Sequence, residues 1–123
     1  MAKPVKIKYS SSVKITVSNA DNSLTAILAP DTSGPGGRRT QVYGYEADGF
    51  AAGVGASLDI TDSVNAARNT GSSATLVMIG SNFRGGGQFT FSVESDQAGQ
   101  SQSISTNLAA FTSEQWAFDL EKV

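Results

Sequence analysis

The sequence predicts an all-β protein: a mostly antiparallel β-sandwich or flattened barrel of about seven to nine strands, with one short helix near residues 61–69. Three observations support this prediction. In most segments apolar and polar residues alternate with a period of two, which is typical of a strand with one buried face. Stretches rich in Gly, Pro, Asn and Asp separate these segments and favour turns. Only 16% of the residues are charged, so small polar side chains must cover much of the surface. We expect a single domain over residues 1–123.

The first two strands are predicted at residues 5–9 and 13–17, where apolar side chains alternate with basic or polar ones. Three serines at residues 10–12 separate them, and we expect the two strands to pair as a hairpin. The side chains expected on its buried face are Val5, Ile7, Tyr9, Val13, Ile15 and Val17.

A turn, a third strand and a long loop are expected next. Residues 19–22 favour the turn, because Asn and Asp accept left-handed backbone conformations. The third strand is predicted at residues 24–29. Residues 30–39 contain two prolines and three glycines, which sustain neither a helix nor a strand ladder, so this segment is predicted to be an exposed loop.

A second hairpin is predicted where residues 40–47 and 50–60 flank Asp48 and Gly49, a favoured two-residue turn. In the second arm every even-numbered residue is apolar, whereas Gly53 and Gly55 leave the opposite face nearly without side chains. Glycine weakens a strand, so this clustering indicates either the close approach of another backbone or a ligand, or a bend or bulge.

Residues 61–69 form the best helix candidate. Thr61 is suited to cap the first turn, and Asp62 and Arg68 complement the positive and negative ends of the helix dipole. A helix of about two turns is marginal by itself, so we expect it to dock against a sheet. The apolar run at residues 73–79 predicts a central buried strand.

Residues 81–87 predict a flexible loop, and the strict alternation at residues 88–94 predicts a strand with its two phenylalanines directed inward. Residues 100–106 are polar apart from Ile104, which is typical of an edge strand.

The C-terminal residues 113–123 allow two interpretations. A capping-box pattern at their start favours a helix. Trp116, Phe118 and Leu120 alternate with other residues, which favours a strand. On a helix Phe118 would point away from the other two, so we predict a strand.

The chain contains no histidine and no cysteine. Serine-histidine-aspartate and cysteine-histidine catalysis, the usual zinc sites, haem held by histidine and disulfide exchange are therefore excluded. No phosphate-binding or dinucleotide-binding glycine motif is present, and neighbouring carboxylates lie beside predicted turns or the helix start. We expect no enzymatic activity, no cofactor and no metal site.

The charge distribution is uneven. The formal net charge is −2, yet the first 14 residues carry four lysines and no acid, so the remaining 109 residues hold five basic and eleven acidic groups, a net of −6. A net negative chain is not expected to bind nucleic acid. No apolar run is long enough to span a bilayer, and no secretory signal is recognisable, so we expect synthesis in the cytoplasm and leave the final location open.

The leading functional hypothesis is a non-enzymatic, homo-oligomeric β building block, such as a virion decoration, tail or filament subunit. It follows from the low charge, the basic N-terminal segment on an acidic body and the glycine-rich strand face. The residues expected at its assembly interface are Lys3, Lys6, Lys8, Gly53 and Gly55.

The alternative is a carbohydrate-binding, lectin-like module that uses the two loops rich in glycine. Arginine forms paired hydrogen bonds to oxyanions, and tyrosine stacks on sugar rings. The residues expected to bind such a ligand are Arg38, Arg39, Tyr43, Tyr45 and Arg84. A third hypothesis is a small pore-forming or membrane-active β protein, for which the predicted hairpin over residues 43–60 is long enough.

Overall fold

The computed structural model describes residues 4–20, 23–30, 39–46, 53–68, 73–83 and 87–123, and only the backbone of residues 30, 45, 46 and 53–56. These residues form nine strands and one helix. The strands are β1 (Val5–Tyr9), β2 (Val13–Ala20), β3 (Ser23–Pro30), β4 (Thr40–Glu46), β5 (Gly53–Asp59), β6 (Ser73–Asn82), β7 (Gln88–Ser95), β8 (Gln102–Asn107) and β9 (Thr112–Lys122), and the helix is α1 (Thr61–Arg68).

Two sheets make up the molecule, and they confirm the predicted all-β, sandwich-like fold. The five-stranded sheet has the order β1-β9-β6-β3-β4, and the four-stranded sheet has the order β5-β2-β7-β8. All neighbouring strands are antiparallel except β1 and β9, which are parallel. The polar β8 lies at an edge, as predicted, and residues 112–122 form a strand rather than a helix.

The hydrophobic core lies between the two sheets. Alternate residues of β2, β3, β6 and β7 are buried, so the inner faces of both sheets contribute to it. Trp116 packs edge-on against Phe91, with the ring centroids 5.1 Å apart, and lies 6.0 Å from Phe89. The largest fully buried side chains are Tyr9, Phe89, Phe91, Phe118, Ile7, Ile15, Leu24, Leu28, Leu76, Met78, Leu120 and Val13.

The first predicted hairpin is wrong, because its two strands lie in different sheets. β1 pairs with β9 in the five-stranded sheet, and β2 pairs with β5 and β7 in the four-stranded sheet. Val5, at the start of an edge strand, is 43% exposed rather than buried. The other five apolar side chains of the two strands do enter the shared core, so the alternation was informative about burial but not about pairing.

The second predicted hairpin is also wrong. β4 pairs with β3, and β5 pairs with β2, so the two arms belong to opposite sheets. The predicted turn at Asp48 and Gly49 lies outside the described residues. Two amphipathic strands fit one core equally well from the same sheet or from opposite sheets, and the pattern of the arms does not distinguish these arrangements.

The helix forms where it was predicted and docks through Val64, which is fully buried. The hydroxyl group of Tyr9 donates a hydrogen bond of 2.6 Å to Asn65 Oδ1 on the helix. At the helix start, Asp59 accepts from the Thr61 N–H at 2.9 Å, while the Thr61 hydroxyl accepts from the Val13 N–H. The hydrogen bond at the helix start is therefore accepted by Asp59, and Thr61 is itself the first helical residue.

The predicted strands at residues 24–29, 73–79 and 88–94 are confirmed. Of the predicted loops, residues 31–38 and 84–86 lie outside the described part, as do residues 21–22 of the predicted turn. The prediction was wrong at residues 19–20, 30 and 81–82, because the ladders of β2, β3 and β6 continue through them.

Candidate functional site

The two outer faces of the sandwich differ in chemistry. On the four-stranded sheet the outward side chains described are polar or charged; they include Lys14, Thr16, Ser57, Thr90, Ser92, Glu94, Ser103 and Ser105. The five-stranded sheet instead carries half-buried apolar side chains that are not part of the core. We call Ile27, Val77, Ile79 and Ala117 the aliphatic patch.

The register of the three central strands makes the aliphatic patch continuous. Val77 on β6 lies between Ile27 on β3 and Ala117 on β9. Ile79 lies one step along the same face, between Thr25 and a glutamine of β9. Side chains directly opposite one another on neighbouring strands are in contact range.

The strand at the centre of this patch is apolar on both of its faces. Leu76 and Met78 enter the core, whereas Val77 and Ile79 point to the outer side of the sheet. A strand with a continuous apolar run is typical of a sheet that is covered on both faces. In the part of the chain that the structure describes, only the inner face of this strand has such a cover.

Charged residues of both signs border the aliphatic patch. Lys6 and Lys8 on β1 are exposed and stand opposite Asp119 and Glu121 on β9 in the parallel ladder. The Thr75 hydroxyl donates a hydrogen bond of 3.0 Å to Asp119 Oδ1. The two lysines and two carboxylates sum to zero, so this border gives the face no net charge.

The N-terminal strand is bound within its own chain. The Lys8 N–H donates to Gln100 Oε1 at 3.0 Å, on the edge of β1 that faces away from β9. Lys122 Nζ donates to the Ser10 carbonyl oxygen at 2.6 Å, and the Val123 N–H donates to the Tyr9 carbonyl oxygen at 2.9 Å. These contacts fix β1 at the edge of the sheet.

A single carboxylate holds the crossover between β1 and β2. Asp96 accepts hydrogen bonds from the N–H groups of Ser10, Ser11 and Ser12, at 2.8, 3.0 and 3.4 Å. These bonds, the one from Ser10 foremost, lower the pKa of Asp96. The pKa of Asp59 is lowered in the same way, chiefly by the hydrogen bond from the Thr61 hydroxyl. Both carboxylates thus serve structural connections.

The residues predicted for assembly are partly located. Lys6 and Lys8 border the aliphatic patch, as described above. Gly53 and Gly55 belong to β5, at an edge of the four-stranded sheet as the described strands form it. Lys3 lies outside the described residues.

The described part of the structure does not bring the residues predicted for ligand binding together into one site. Arg39 is exposed just before β4, whereas Tyr43 is half-buried and packs against the hydrophobic core. Tyr45 pairs with Leu24 in the ladder, and its side chain is not described. Arg38 and Arg84 lie outside the described residues.

Two exposed phenylalanines were missed by the sequence analysis. Phe83 is 51% exposed and Phe111 is 85% exposed, at the end of the β6–β9 pair. Phe111 also has a backbone φ of 63°, in the left-handed region. The available signal was a phenylalanine placed outside any alternating segment, directly before the predicted C-terminal strand.

No group of three or more acidic residues in the described ranges is arranged to hold a metal ion. The described helix is too short and too polar to cross a membrane. In comparisons with known proteins, no protein-family model, no curated protein and no solved structure matches the chain.

Proposed function

We propose that this protein is a non-enzymatic, homo-oligomeric β building block of the kind that forms virion decorations, tails or filaments. The observation that carries the proposal is the aliphatic patch, an apolar surface on the outer face of a sheet whose counterpart on the other sheet is polar. Extended contiguous apolar surface on a protein marks an interaction site.

The dimensions of the sheet suit an interface between copies. Strands lie about 4.8 Å apart and rise about 3.4 Å per residue, so five strands of about seven residues present about 570 Å². Specific interfaces bury roughly 1,200–2,000 Å² in total, or roughly 600–1,000 Å² on each partner. One such face covered by another therefore lies just below the lower end of this range.

The composition of the face favours a second sheet as the covering element. Its described outward side chains near the centre are Ile, Val, Ala and Thr, the residue types that interdigitate between stacked sheets. The border charges of Lys6, Lys8, Asp119 and Glu121 cancel, so two copies of this face meet without net repulsion.

The proposal is tested by measuring the solution mass of the full chain by light scattering over a range of concentrations. We expect a defined multiple of 12.7 kDa for the wild type. Val77→Lys places a charge in the aliphatic patch and should shift the mass to that of the monomer, with the fold intact by circular dichroism.

Thr90→Lys is the matched control. Thr90 is also half-buried and β-branched, and it lies on a central strand, but on the polar outer face of the four-stranded sheet. We expect it to keep the wild-type mass. A wild type that remains a monomer at all concentrations would refute the proposal.

The other hypotheses receive less support from the described residues. Among the predicted sugar-binding groups only Arg39 is both described and exposed, and Tyr43 is occupied in packing against the core. For pore formation, the two arms of the expected hairpin over residues 43–60 lie in different sheets. A glycan array probed with the wild type separates the carbohydrate hypothesis from assembly.

A further inference from the structure

Neither the backbone conformation of Phe111 nor the exposure of its ring stabilises the fold of its own chain. Its φ of 63° lies in the left-handed region, where a side chain approaches the following carbonyl oxygen, so that Gly and Asn are preferred. Its ring is 85% exposed and contributes almost nothing to the core. Glycine or asparagine at this position would serve the fold better than phenylalanine does.

The backbone around Phe111 is tightly held. The Phe111 N–H donates a hydrogen bond of 2.6 Å to the carbonyl oxygen of Asn82. Thr112 closes the same turn, since its hydroxyl donates to the Ala109 carbonyl oxygen at 2.6 Å. Strained conformations persist where the surroundings over-determine them, and they concentrate at functional positions.

This turn continues the strands that carry the aliphatic patch. Asn82 and Thr112 form the last pair of β6 and β9, so Phe83 and Phe111 follow directly at the end of these two strands. Val77 and Ala117 of the aliphatic patch lie on the same strand pair, five register positions from this end. The exposed aromatic rings and the patch thus share one strand pair.

We infer that Phe111 is the anchor residue of self-association and that it contacts a second copy of this chain. The inference rests on the proposed function. A second copy is favoured over other occupants because the anchor lies on the same strand pair as the aliphatic patch, and the area and zero border charge of that sheet face suit a matching face. Phenylalanine is also among the side chains enriched in the cores of protein interfaces.

The test uses Phe111→Gly and Phe111→Asn in the full chain. Both variants remove the ring and relieve the left-handed strain, so the ratio of folded to unfolded protein in urea should rise, by up to about thirtyfold. Dissociation of the oligomer, followed by light scattering on dilution, should become at least about tenfold easier. A gain in folding stability with a loss of association is not expected for a residue with only a structural role.

Leu58→Asn is the control. Leu58 is 37% exposed at the edge of the four-stranded sheet, away from the strand pair that carries Phe111. We expect this variant to dissociate as the wild type does, which shows that the effect does not follow from losing any exposed apolar side chain.

The outcomes separate the inference from the proposed function. If the wild type is an oligomer and both Phe111 variants dissociate as it does, the anchor is refuted while the assembly function stands. If the wild type is a monomer at all concentrations, both fail. A monomer that binds phosphatidylcholine vesicles or a glycan only when Phe111 is present would assign the ring to that ligand and overturn the second copy as its occupant.

Discussion

Gly87→Ala is expected to be the most damaging small substitution in the described part of the chain. Gly87 has a φ of 72°, and a Cβ atom there would lie 2.0 Å from the carbonyl oxygen of Leu108 and 2.6 Å from Asn82 Nδ2. This corner positions the turn of Phe111, because Asn82 also accepts from the Phe111 N–H. The clash is with a backbone atom, so a side-chain rotation does not relieve it.

The magnitude follows from the contacts that must separate. The left-handed conformation costs an alanine about 1–2 kcal/mol relative to glycine. Moving Leu108 away breaks its N–H bond to the Gly87 oxygen, at 2.8 Å, and the 2.8 Å bond from Asn82 Nδ2 to the Leu108 oxygen. Each loss costs about 1 kcal/mol, and somewhat more where the buried amide of Asn82 is left unsatisfied. The total is about 3–5 kcal/mol, a large part of the roughly 5–15 kcal/mol by which domains are stable.

Urea denaturation of Gly87→Ala and of a control variant, Gly99→Ala, measures the cost of the close approach to Leu108. Gly99 also has a left-handed φ, of 75°, but a Cβ atom there meets nothing within 4 Å. Gly99→Ala should therefore cost only the conformational part, about 1–2 kcal/mol. Equal losses of unfolding free energy in the two variants would show that the close approach to Leu108 does not constrain the corner, and the reasoning would be refuted.

Three further predictions concern the core, the crossover and the charged border. Gly80→Ala places a Cβ atom 2.9 Å from the Trp116 ring. The substitution should lower the free energy of unfolding, measured in urea, by about 1–3 kcal/mol and alter the fluorescence of this single tryptophan. An unchanged emission spectrum and an unchanged urea midpoint would contradict this. The pKa of Asp96 is lowered in the folded state, so the contribution of this carboxylate to stability is present above the unfolded pKa of about 3.9 and is lost as pH falls through the folded value. Asp96→Asn should therefore lower the melting temperature at pH 7 and make the melting temperature less sensitive to acid. Equal pH profiles of the wild type and the variant would contradict this. Replacing Lys6 and Lys8 by Glu makes the border wholly acidic, so association should weaken at low salt and recover at high salt, whereas a salt-independent mass equal to that of the wild type would exclude a role for these lysines.

A deletion of residues 1–9 is not a clean test of an interface formed by the basic N-terminal segment. The structure shows that such a deletion removes Ile7 and Tyr9 from the core and the whole of β1 from its sheet. Loss of assembly in that truncation would therefore report unfolding as readily as a lost interface.

The candidate surface was only partly predictable from the sequence. Lys6 and Lys8 were identified from their charge, and both border the aliphatic patch. Two residues of the patch, Val77 and Ile79, belong to the run at residues 73–79, which predicts a central buried strand. Its position at the centre of a sheet is confirmed, but the exposure of Val77 and Ile79 depends on what lies above the sheet, and a local pattern carries no information about that.

The sequence by itself determined which residues alternate toward the core, where the helix forms, and that histidine and cysteine chemistry is absent. These properties depend on neighbours along the chain, through the two-residue period of a strand and the capping and dipole preferences of a short helix. Only the tertiary structure decided which strands pair. β1 joins β9 across more than 100 residues, and β4 and β5 separate into different sheets, because one core accepts amphipathic strands from either layer. The tertiary structure also fixes the backbone conformation of Phe111, since the hydrogen bond from its N–H to the Asn82 carbonyl oxygen exists only after β6 and β9 have come together.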